Sequence, residues 1–231
     1  MTSLSGPSLP PLKGAATDLV VLLHGYGSDG NDLIGLAPHF QQMLPTAAFV
    51  APNAPARVPG PGGYQWFPLT RMDPKELQRG VNEAAPALDK FLDDELARLN
   101  LAPDRLALAG FSQGTMMALH VGLRRAIRPA AIIGFSGLLA ALPPEGPKPP
   151  ILLTHGDADT VIPAQAMLVA AMQLGAAGAA VQWHLAPGIG HGIDPVAMAL
   201  AGEFLSLAFA GRLKTAGEIH SPVSQPSQRI G

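Results

Sequence analysis

The residues best suited to chemistry lie in the segment 107–120, which reads ALAGFSQGTMMALH. It places Ser112 between Gly110 and Gly114 in the order Gly-x-Ser-x-Gly. A serine that stands on a very sharp strand-to-helix turn needs small neighbours, because larger side chains would collide with the strand and the helix. Amides at the start of the following helix would also favour a negative oxygen formed during acyl transfer. The pattern therefore predicts a nucleophilic serine.

A second serine tests how specific this pattern is, because a five-residue motif with two glycines also arises by chance in a chain with 26 glycines. Residues 134–138 read GFSGL, so Ser136 follows a glycine but has Leu138 where the second framing glycine would stand. We expect Ser136 to form a structural turn after a strand.

A serine at its ordinary acidity is a poor nucleophile, so a base must accept its proton and a carboxylate must orient that base. After the serine, residues 151–163 (ILLTHGDADTVIP) supply Asp157 and Asp159, and residues 186–195 (APGIGHGIDP) supply His191. This is the chain order serine, acid, histidine. Asp159 lies deeper in its turn and has the better claim, whereas Asp157 suits a turn former that caps amides.

The other six histidines fit the role of base less well. Three of them, His24, His39 and His120, precede the candidate acid. The others are His155, which is too close to that acid, His184, which lies in a strand-like run, and His220, which lies near the C-terminus. His191 therefore remains as the candidate base.

An oxyanion site is predicted from the residues that follow the first strand, 21–33, which read VLLHGYGSDGNDL. A glycine-flanked backbone can aim the Tyr26 amide at the same point as the Gln113 amide, which follows the candidate nucleophile. Each such donor is usually worth about 3 kcal/mol of transition-state stabilisation. The alternative is that His24-Gly25 is a simple strand-to-loop turn.

These residues must be positioned by alternating strands and helices. Strand-like runs at 19–23, 47–51, 106–109, 130–133, 151–154 and 180–184 are separated by helix-like patterns, and the clearest helix is predicted at 78–100. Such alternation is typical of a mostly parallel sheet covered by helices. Each candidate side chain would then lie at the carboxyl end of a strand, where sheets of this type carry their sites.

Length and composition place the chain in a broad class. With 231 residues and 48% hydrophobic content, it can form one sizeable core. The net charge of −2 and scattered basic residues argue against nucleic acid as a partner. Without cysteine, thiolate sites and disulfides are excluded. No signal peptide and no run of about 20 apolar residues is seen, so we expect a cytoplasmic protein without an integral membrane segment.

Two regions depart from the alternating pattern. The proline- and glycine-rich segment 52–74 is predicted to be an ordered, functional surface loop that contains Trp66. The polar segment 214–231 is interpreted as a flexible tail, and residues 1–17 as an N-terminal extension, which leaves 18–213 as the single domain.

Six motifs in order, LLHGYGSD, APNAP, GYQWFPL, GFSQG, HGDADTVIP and GIGHGI, resemble the phospholipase/carboxylesterase family of α/β hydrolases, which includes acyl-protein thioesterases. The resemblance covers about 18–213. It implies the α/β-hydrolase fold, a mostly parallel twisted sheet with helices on both faces and a single domain without a large lid. It also implies the following site residues: the triad Ser112, Asp159 and His191, the oxyanion amides of Tyr26 and Gln113, and an acyl-binding surface near Trp66 and Phe67.

The resemblance also implies a function. We expect a serine carboxylesterase that acts on short- to medium-chain esters through an acyl-enzyme, with a small-molecule ester substrate and no metal or organic cofactor. Thioesterase members have an aspartate where this chain has Pro68. The alternatives are a lysophospholipase or acyl-protein thioesterase, a non-catalytic hydrolase-fold binding protein, or an interaction protein that uses its proline-rich segments. Trp66 has the alternative role of packing its loop onto the core. Some family members pair through apolar surface, so a homodimer is one expected assembly, although no stripe identifies its interface.

Overall fold

The computed structural model describes residues 4–213, and its framework is a seven-stranded sheet. The strands of the chain are β1 (Ser8–Leu9), β2 (Asp18–Leu23), β3 (Ala47–Val50), β4 (Ala56–Arg57), β5 (Tyr64–Gln65), β6 (Leu106–Phe111), β7 (Ala131–Phe135), β8 (Ile151–Gly156) and β9 (Val181–Ala186). The large sheet has the order β1-β3-β2-β6-β7-β8-β9, and all its pairings are parallel except that of β1 with β3. The predicted mostly parallel sheet is confirmed.

Helices cover both faces of this sheet. They are α1 (Gly30–Ile34), α2 (Ala37–Gln41), α3 (Pro74–Leu99), α4 (Gln113–Gly122), α5 (Gln165–Ala176) and α6 (Pro195–Phe209). Buried side chains of α3, α4 and α5 form one core with the sheet, and those of α1, α2 and α6 form a second core on the opposite face. This arrangement is the predicted α/β-hydrolase architecture.

The central strands supply both cores because successive side chains point to opposite faces of a sheet. In β2, Leu19, Val21 and Leu23 face the first core, whereas Val20 and Leu22 face the second. A strand buried on both faces must be apolar at every position, which explains why these segments are continuous aliphatic runs.

The predicted strands are all present, and their ends differ from the prediction by one or two residues. The strands β6 and β8 continue further than predicted because their glycines still pair with neighbours, as Gly110 does with Gly134. The helix α3 begins earlier than predicted, since the Asp73 side chain accepts the amides of Lys75 and Glu76 and Pro74 fits the first helical position.

The loop at 52–74 is ordered by a short hairpin. The strands β4 and β5 pair antiparallel, and an isolated bridge joins Ser28 to Tyr64. The loop is thereby attached to the segment that follows β2. Because β2, β6, β8 and β9 are parallel, the segments that follow their carboxyl ends meet at one edge of the sheet.

Candidate active site

Ser112 occupies a sharp turn between β6 and α4. Its backbone has φ +54° and ψ −114°, a conformation that residues with a side chain rarely adopt. The two framing glycines are required by close packing: a Cβ on Gly110 would lie 2.2 Å from the Gly114 carbonyl oxygen, and one on Gly114 would lie 1.9 Å from that of Leu23. The side chain of Ser112 is partly exposed. No hydrogen bond within residues 4–213 ties its hydroxyl, so this group can rotate.

The predicted acid and base lie together at the same edge of the sheet. Asp159 follows β8, His191 follows β9, and the distance from His191 Nδ1 to Asp159 Oδ2 is 2.7 Å. The imidazole ring also contacts Phe111, the residue before Ser112, with ring centroids 5.0 Å apart. The contact between Asp159 and His191 fixes Nδ1–H as the donor, so that Nε2 is the nitrogen left to accept a proton.

Asp159 is held as a carboxylate by its hydrogen bonds. Burial would raise the pKa of this group, but the hydrogen bond from His191 and the amides of Ile162 and Val161 together lower the pKa below its ordinary value. The two amides lie 2.9 and 2.8 Å from Oδ1. The buried His155 places its Nε2 3.1 Å from Oδ2 and 2.8 Å from the Ile162 carbonyl.

The alternative acid, Asp157, makes a different contact. Its Oδ1 accepts the Gly188 amide at 2.6 Å, and it therefore caps the loop that carries His191. The sequence predicted a turn former that caps local amides, whereas the amide that Asp157 caps lies 31 positions further along the chain.

The predicted oxyanion donors lie on two segments that meet at Ser112. A Cβ built on Gly25 would lie 3.3 Å from the Ser112 Cβ, so the His24–Tyr26 backbone runs directly beside the serine. Within residues 4–213, neither the Tyr26 nor the Gln113 backbone amide donates to a protein group. Both amides therefore keep their hydrogen-bonding capacity unused in this part of the protein.

His24 is a part of the site that the sequence did not reveal. Its Nδ1 lies 2.7 Å from the Gly25 carbonyl and its Nε2 accepts the Ala54 amide at 3.0 Å, which assigns the neutral ring with the proton on Nδ1. Burial is the main cause that lowers the pKa of His24. The ring thus holds the segment before Tyr26 against the 52–74 loop. Ala54 is 30 residues away in the chain, so local pattern could not identify this contact.

Trp66 and Phe67, which the resemblance places near the acyl-binding surface, are both buried. Each residue is only 2% exposed, and Trp66 Nε1 donates to the His24 carbonyl at 3.0 Å. Phe67 packs against Gly80 of α3 so tightly that a Cβ there would lie 2.3 Å from the ring. Both rings pack the loop onto the core, which is the alternative role stated above for Trp66.

The side chain of Gln113 holds this loop in place. Its Oε1 accepts the Trp66 amide and its Nε2 donates to the Phe67 carbonyl, both at 2.9 Å. One residue thus supplies a backbone amide beside Ser112 and fixes the adjacent loop with its side chain.

An apolar groove of about 290 Å³ lies where three segments meet, namely the start of α3, the residues after β7 and the helix α5. We call it the α3–α5 groove, and its walls are Met72, Pro74, Leu77, Leu138, Leu139, Ala140, Ala166, Val169, Ala170 and Gln173. It is lined almost entirely by aliphatic side chains.

Residues 4–213 contain no group of three histidine, cysteine or acidic side chains placed to hold a metal ion. None of the helices in this part of the chain combines the length and apolar character that crossing a bilayer requires.

Comparison with known proteins agrees with this architecture. The profile of the Phospholipase/Carboxylesterase family matches residues 9–209. The acyl-protein thioesterase 1 of Schizosaccharomyces pombe is 32% identical over 64% of this chain and 71% of its own length. The esterase YpfH of Escherichia coli is 27% identical over 82% of each chain.

Solved structures give the same result. Esterase PE8, whose crystal structure is known, is 44% identical in sequence and superposes with a TM-score of 0.83. The match covers 88% of this chain and 98% of that one. A carboxylesterase from Mesorhizobium loti, at 24% identity and a TM-score of 0.70, shares the fold. The chain belongs to the Phospholipase/Carboxylesterase family of α/β hydrolases. It is a hydrolytic enzyme of the esterase and thioesterase type.

Proposed function

We propose that the protein is a serine carboxylesterase that hydrolyses short- to medium-chain esters of carboxylic acids through an acyl-enzyme. The observation that carries this proposal is the strained Ser112 turn beside the hydrogen-bonded Asp159–His191 pair. In this proposal Ser112 is the nucleophile, His191 is the general base and Asp159 orients the imidazole.

In the first step, His191 Nε2 accepts the Ser112 hydroxyl proton while Oγ forms a bond to the ester carbonyl carbon. The carbonyl oxygen becomes negative and accepts hydrogen bonds from the backbone amides of Tyr26 and Gln113. His191 then protonates the alcohol oxygen, and the carbon–oxygen bond to the alcohol breaks. A water molecule then attacks the acyl carbon while His191 Nε2 accepts its proton. The bond between the acyl carbon and Ser112 Oγ breaks, His191 returns the proton to Oγ, and the carboxylic acid leaves.

The α3–α5 groove is the proposed acyl site, in place of the buried rings of Trp66 and Phe67. Leu138 and Leu139 in its wall follow β7, the strand next to the one that ends at Ser112. A volume of about 290 Å³ lies near the lower end of the roughly 300–1,000 Å³ typical of ligand pockets, which supports short or medium acyl chains.

The proposal is tested with p-nitrophenyl esters from acetate to palmitate, assayed with the wild-type protein and Ser112→Ala. We expect wild-type turnover to be greatest at short or medium chain length and to fall by at least about 10³-fold in the variant. A serine-reactive phosphonate should label only the wild type. A folded wild type that is inert toward every ester and the phosphonate would instead support the non-catalytic binding protein.

The thioesterase alternative is supported by the name of the Schizosaccharomyces pombe relative. It is tested in the same assay with acyl thioesters of matched chain length. A preference for thioesters at equal chain length would replace carboxylesterase with thioesterase, while the roles proposed for Ser112, Asp159 and His191 would stand.

The groove assignment is tested with Leu138→Trp, which places a large side chain in the proposed acyl site. We expect kcat/KM for the octanoate ester to fall by about 10-fold or more, while that for the acetate ester changes by less than about twofold, because each methylene is worth about 1–3 kcal/mol in an apolar pocket. Equal losses for both esters would show that acyl chains bind elsewhere.

A further inference from the structure

Ser136, which is not one of the proposed triad residues, occupies an unusual position directly after β7. Its backbone has φ +46°, and its side chain is completely buried. Within residues 4–213 only Asn100 and Ser112 share a positive φ without being glycine. A strained backbone of this kind persists only where its surroundings hold it in place, and such residues cluster at functional sites.

The peptide formed by Phe135 and Ser136 contacts the turn that carries the nucleophile. The Phe135 carbonyl accepts the Ser112 amide at 2.9 Å. The same oxygen lies 2.9 Å from the Thr115 hydroxyl, in the first turn of α4. The start of this peptide therefore fixes the position of Ser112.

The other end of the peptide contacts the segments that carry the acid and the base. The Ser136 amide donates to the Thr154 carbonyl at 2.8 Å, in the strand that leads to Asp159. The Ser136 hydroxyl donates to the Gly192 carbonyl at 2.8 Å, immediately after His191. The Phe135–Ser136 peptide and the Ser136 hydroxyl thus together make a hydrogen bond to each of the three segments that carry the proposed triad.

The two halves of the loop around His191 are held by different contacts. The first half is fixed by Gly188, which donates to Asp157, and by Ile189, whose carbonyl accepts the Ala158 amide at 3.0 Å. The second half is fixed by the hydrogen bond from the Ser136 hydroxyl to the Gly192 carbonyl. His191 lies between the two, in a stretch where Cβ atoms added at Gly190 or Gly192 would meet nothing within 4 Å. The Gly190 carbonyl lies against Gly156 and Ile193 packs against the second core, so the Ser136 hydroxyl acts together with these contacts on the backbone beside His191.

We propose that Ser136 is a positioning residue, which holds His191 in register with Ser112 through the hydrogen bond from its hydroxyl to the Gly192 carbonyl. This inference rests on the triad roles proposed above. It predicts that loss of the hydroxyl displaces the base, since an error of about 1 Å in reacting geometry can lower a rate by about 10²-fold.

The test uses Ser136→Gly and Ser136→Ala with p-nitrophenyl butyrate. Glycine removes the hydroxyl and adopts the positive φ without strain, whereas alanine removes the hydroxyl and keeps the Cβ. In both variants we expect kcat to fall by about 10- to 100-fold with KM within about twofold, because the acyl site is untouched. The rate of phosphonate labelling should fall by a similar factor, since it also depends on proton transfer to His191.

The matched control is Ile133→Val, in the same strand. Ile133 packs into the core on the face covered by α6 and contacts neither Ser136 nor the loop of His191 through a hydrogen bond. We expect this variant to lower the melting temperature while leaving kcat unchanged. It therefore shows what a loss of stability in β7 does to activity by itself.

Three outcomes distinguish the explanations. If Ser136→Gly keeps the wild-type kcat, or raises KM with kcat unchanged, the inference is wrong. If Ile133→Val loses as much kcat as Ser136→Gly, the effect is one of stability and the inference is also wrong. If the wild type is inactive or Ser112→Ala remains active, the proposed function is wrong. If the wild type is active and Ser112→Ala is inactive, the proposed function stands, and the Ser136 variants then decide the further inference alone.

Discussion

Asp159 illustrates how hydrogen bonds, rather than exposure to water, can keep a buried group charged. Two backbone amides and the His191 ring donate to its two oxygens, and they outweigh the effect of burial on its pKa. A neutral amide in its place would keep the shape but lose the charge that stabilises a protonated imidazole.

Asp159→Asn should therefore lower kcat by about 10²- to 10⁴-fold with little change in KM, measured with p-nitrophenyl butyrate. The pH dependence of stability provides a second measurement. Because the folded pKa is below the unfolded value, Asp159 stabilises the fold above the unfolded pKa of about 3.9, and this contribution is lost as pH falls through the folded pKa. Urea titrations at several acidic pH values should show that the unfolding free energy of Asp159→Asn falls less steeply with decreasing pH than that of the wild type. An equally steep fall of the unfolding free energy in both proteins would contradict the stabilising role of the Asp159 charge.

His24 acts through geometry, since both ring nitrogens are engaged with backbone groups. His24→Ala would leave the Ala54 amide without its acceptor, which should cost about 1–3 kcal/mol of unfolding free energy in urea titrations. Because the same ring holds the segment before Tyr26, kcat should also fall by about 10-fold. The exposed His39, replaced by alanine, is the control and should change neither quantity. Normal kcat in His24→Ala would show that the oxyanion segment holds its position without the ring.

The 52–74 loop and helix α4 form a unit through Gln113. Two hydrogen bonds of the Gln113 side chain join the start of α4 to the loop. The Trp66 indole adds a third contact, from the loop to the segment after β2. The position of the loop is therefore linked to the same residue whose backbone amide faces the proposed oxyanion.

Gln113→Ala keeps the backbone amide and removes both hydrogen bonds to the loop. We expect kcat to fall by about 10-fold and the unfolding free energy to fall by about 1–3 kcal/mol for each buried group left unpaired. Gln65→Ala is a matched control, because within residues 4–213 the Gln65 side chain donates to the Arg57 carbonyl of the same hairpin and to no other group. It should lower stability and leave kcat within about twofold. Equal kcat losses in the two variants would mean that loop order in general, and not the contact with α4, sets the rate.

The parts of this architecture that could be predicted from sequence are those encoded locally. Aliphatic runs marked the strands, and the order of Ser112, Asp159 and His191 along the chain placed them at one sheet edge. The contacts of His24 and Ser136 join residues 30 and 56 positions apart, so no local pattern identifies them. The burial of Trp66 could not be predicted either, because an aromatic residue in a loop suits the wall of a binding surface as well as a contact that packs the loop onto the core.

A buried histidine should lower the stability of the whole molecule at acidic pH. His120, near the end of α4, is 3% exposed, and burial, with a smaller effect of the Arg124 charge, lowers its pKa to about 4. Its Nδ1 has no hydrogen-bond partner within residues 4–213. Protonation of this ring is therefore easier in the unfolded chain than in the folded protein.

Between the unfolded pKa near 6.5 and the folded value near 4, the unfolded chain binds more protons, so stability should fall as pH decreases through this window. The slope attributable to one such group is at most about 1.4 kcal/mol per pH unit. His120→Leu should flatten the dependence of unfolding free energy on pH, measured in urea at several pH values between 4 and 7. The lowered pKa of His24 acts in the same direction, so part of the slope should remain. A variant with the full wild-type slope would contradict this assignment.

The strand β9 forms one border of the sheet, and within residues 4–213 no strand pairs with its outer side. Its sequence, VQWHLA, contains no charged residue and no proline, which are the features that usually discourage edge-to-edge association. Trp183 at its centre is 55% exposed, beside Met172 of α5 at 74%. Handling conditions will therefore matter for this protein, and concentrated stocks should be the first preparations to become turbid. Immobilisation on an apolar support should take place through this border, which lies three strands from β6, the strand that precedes Ser112.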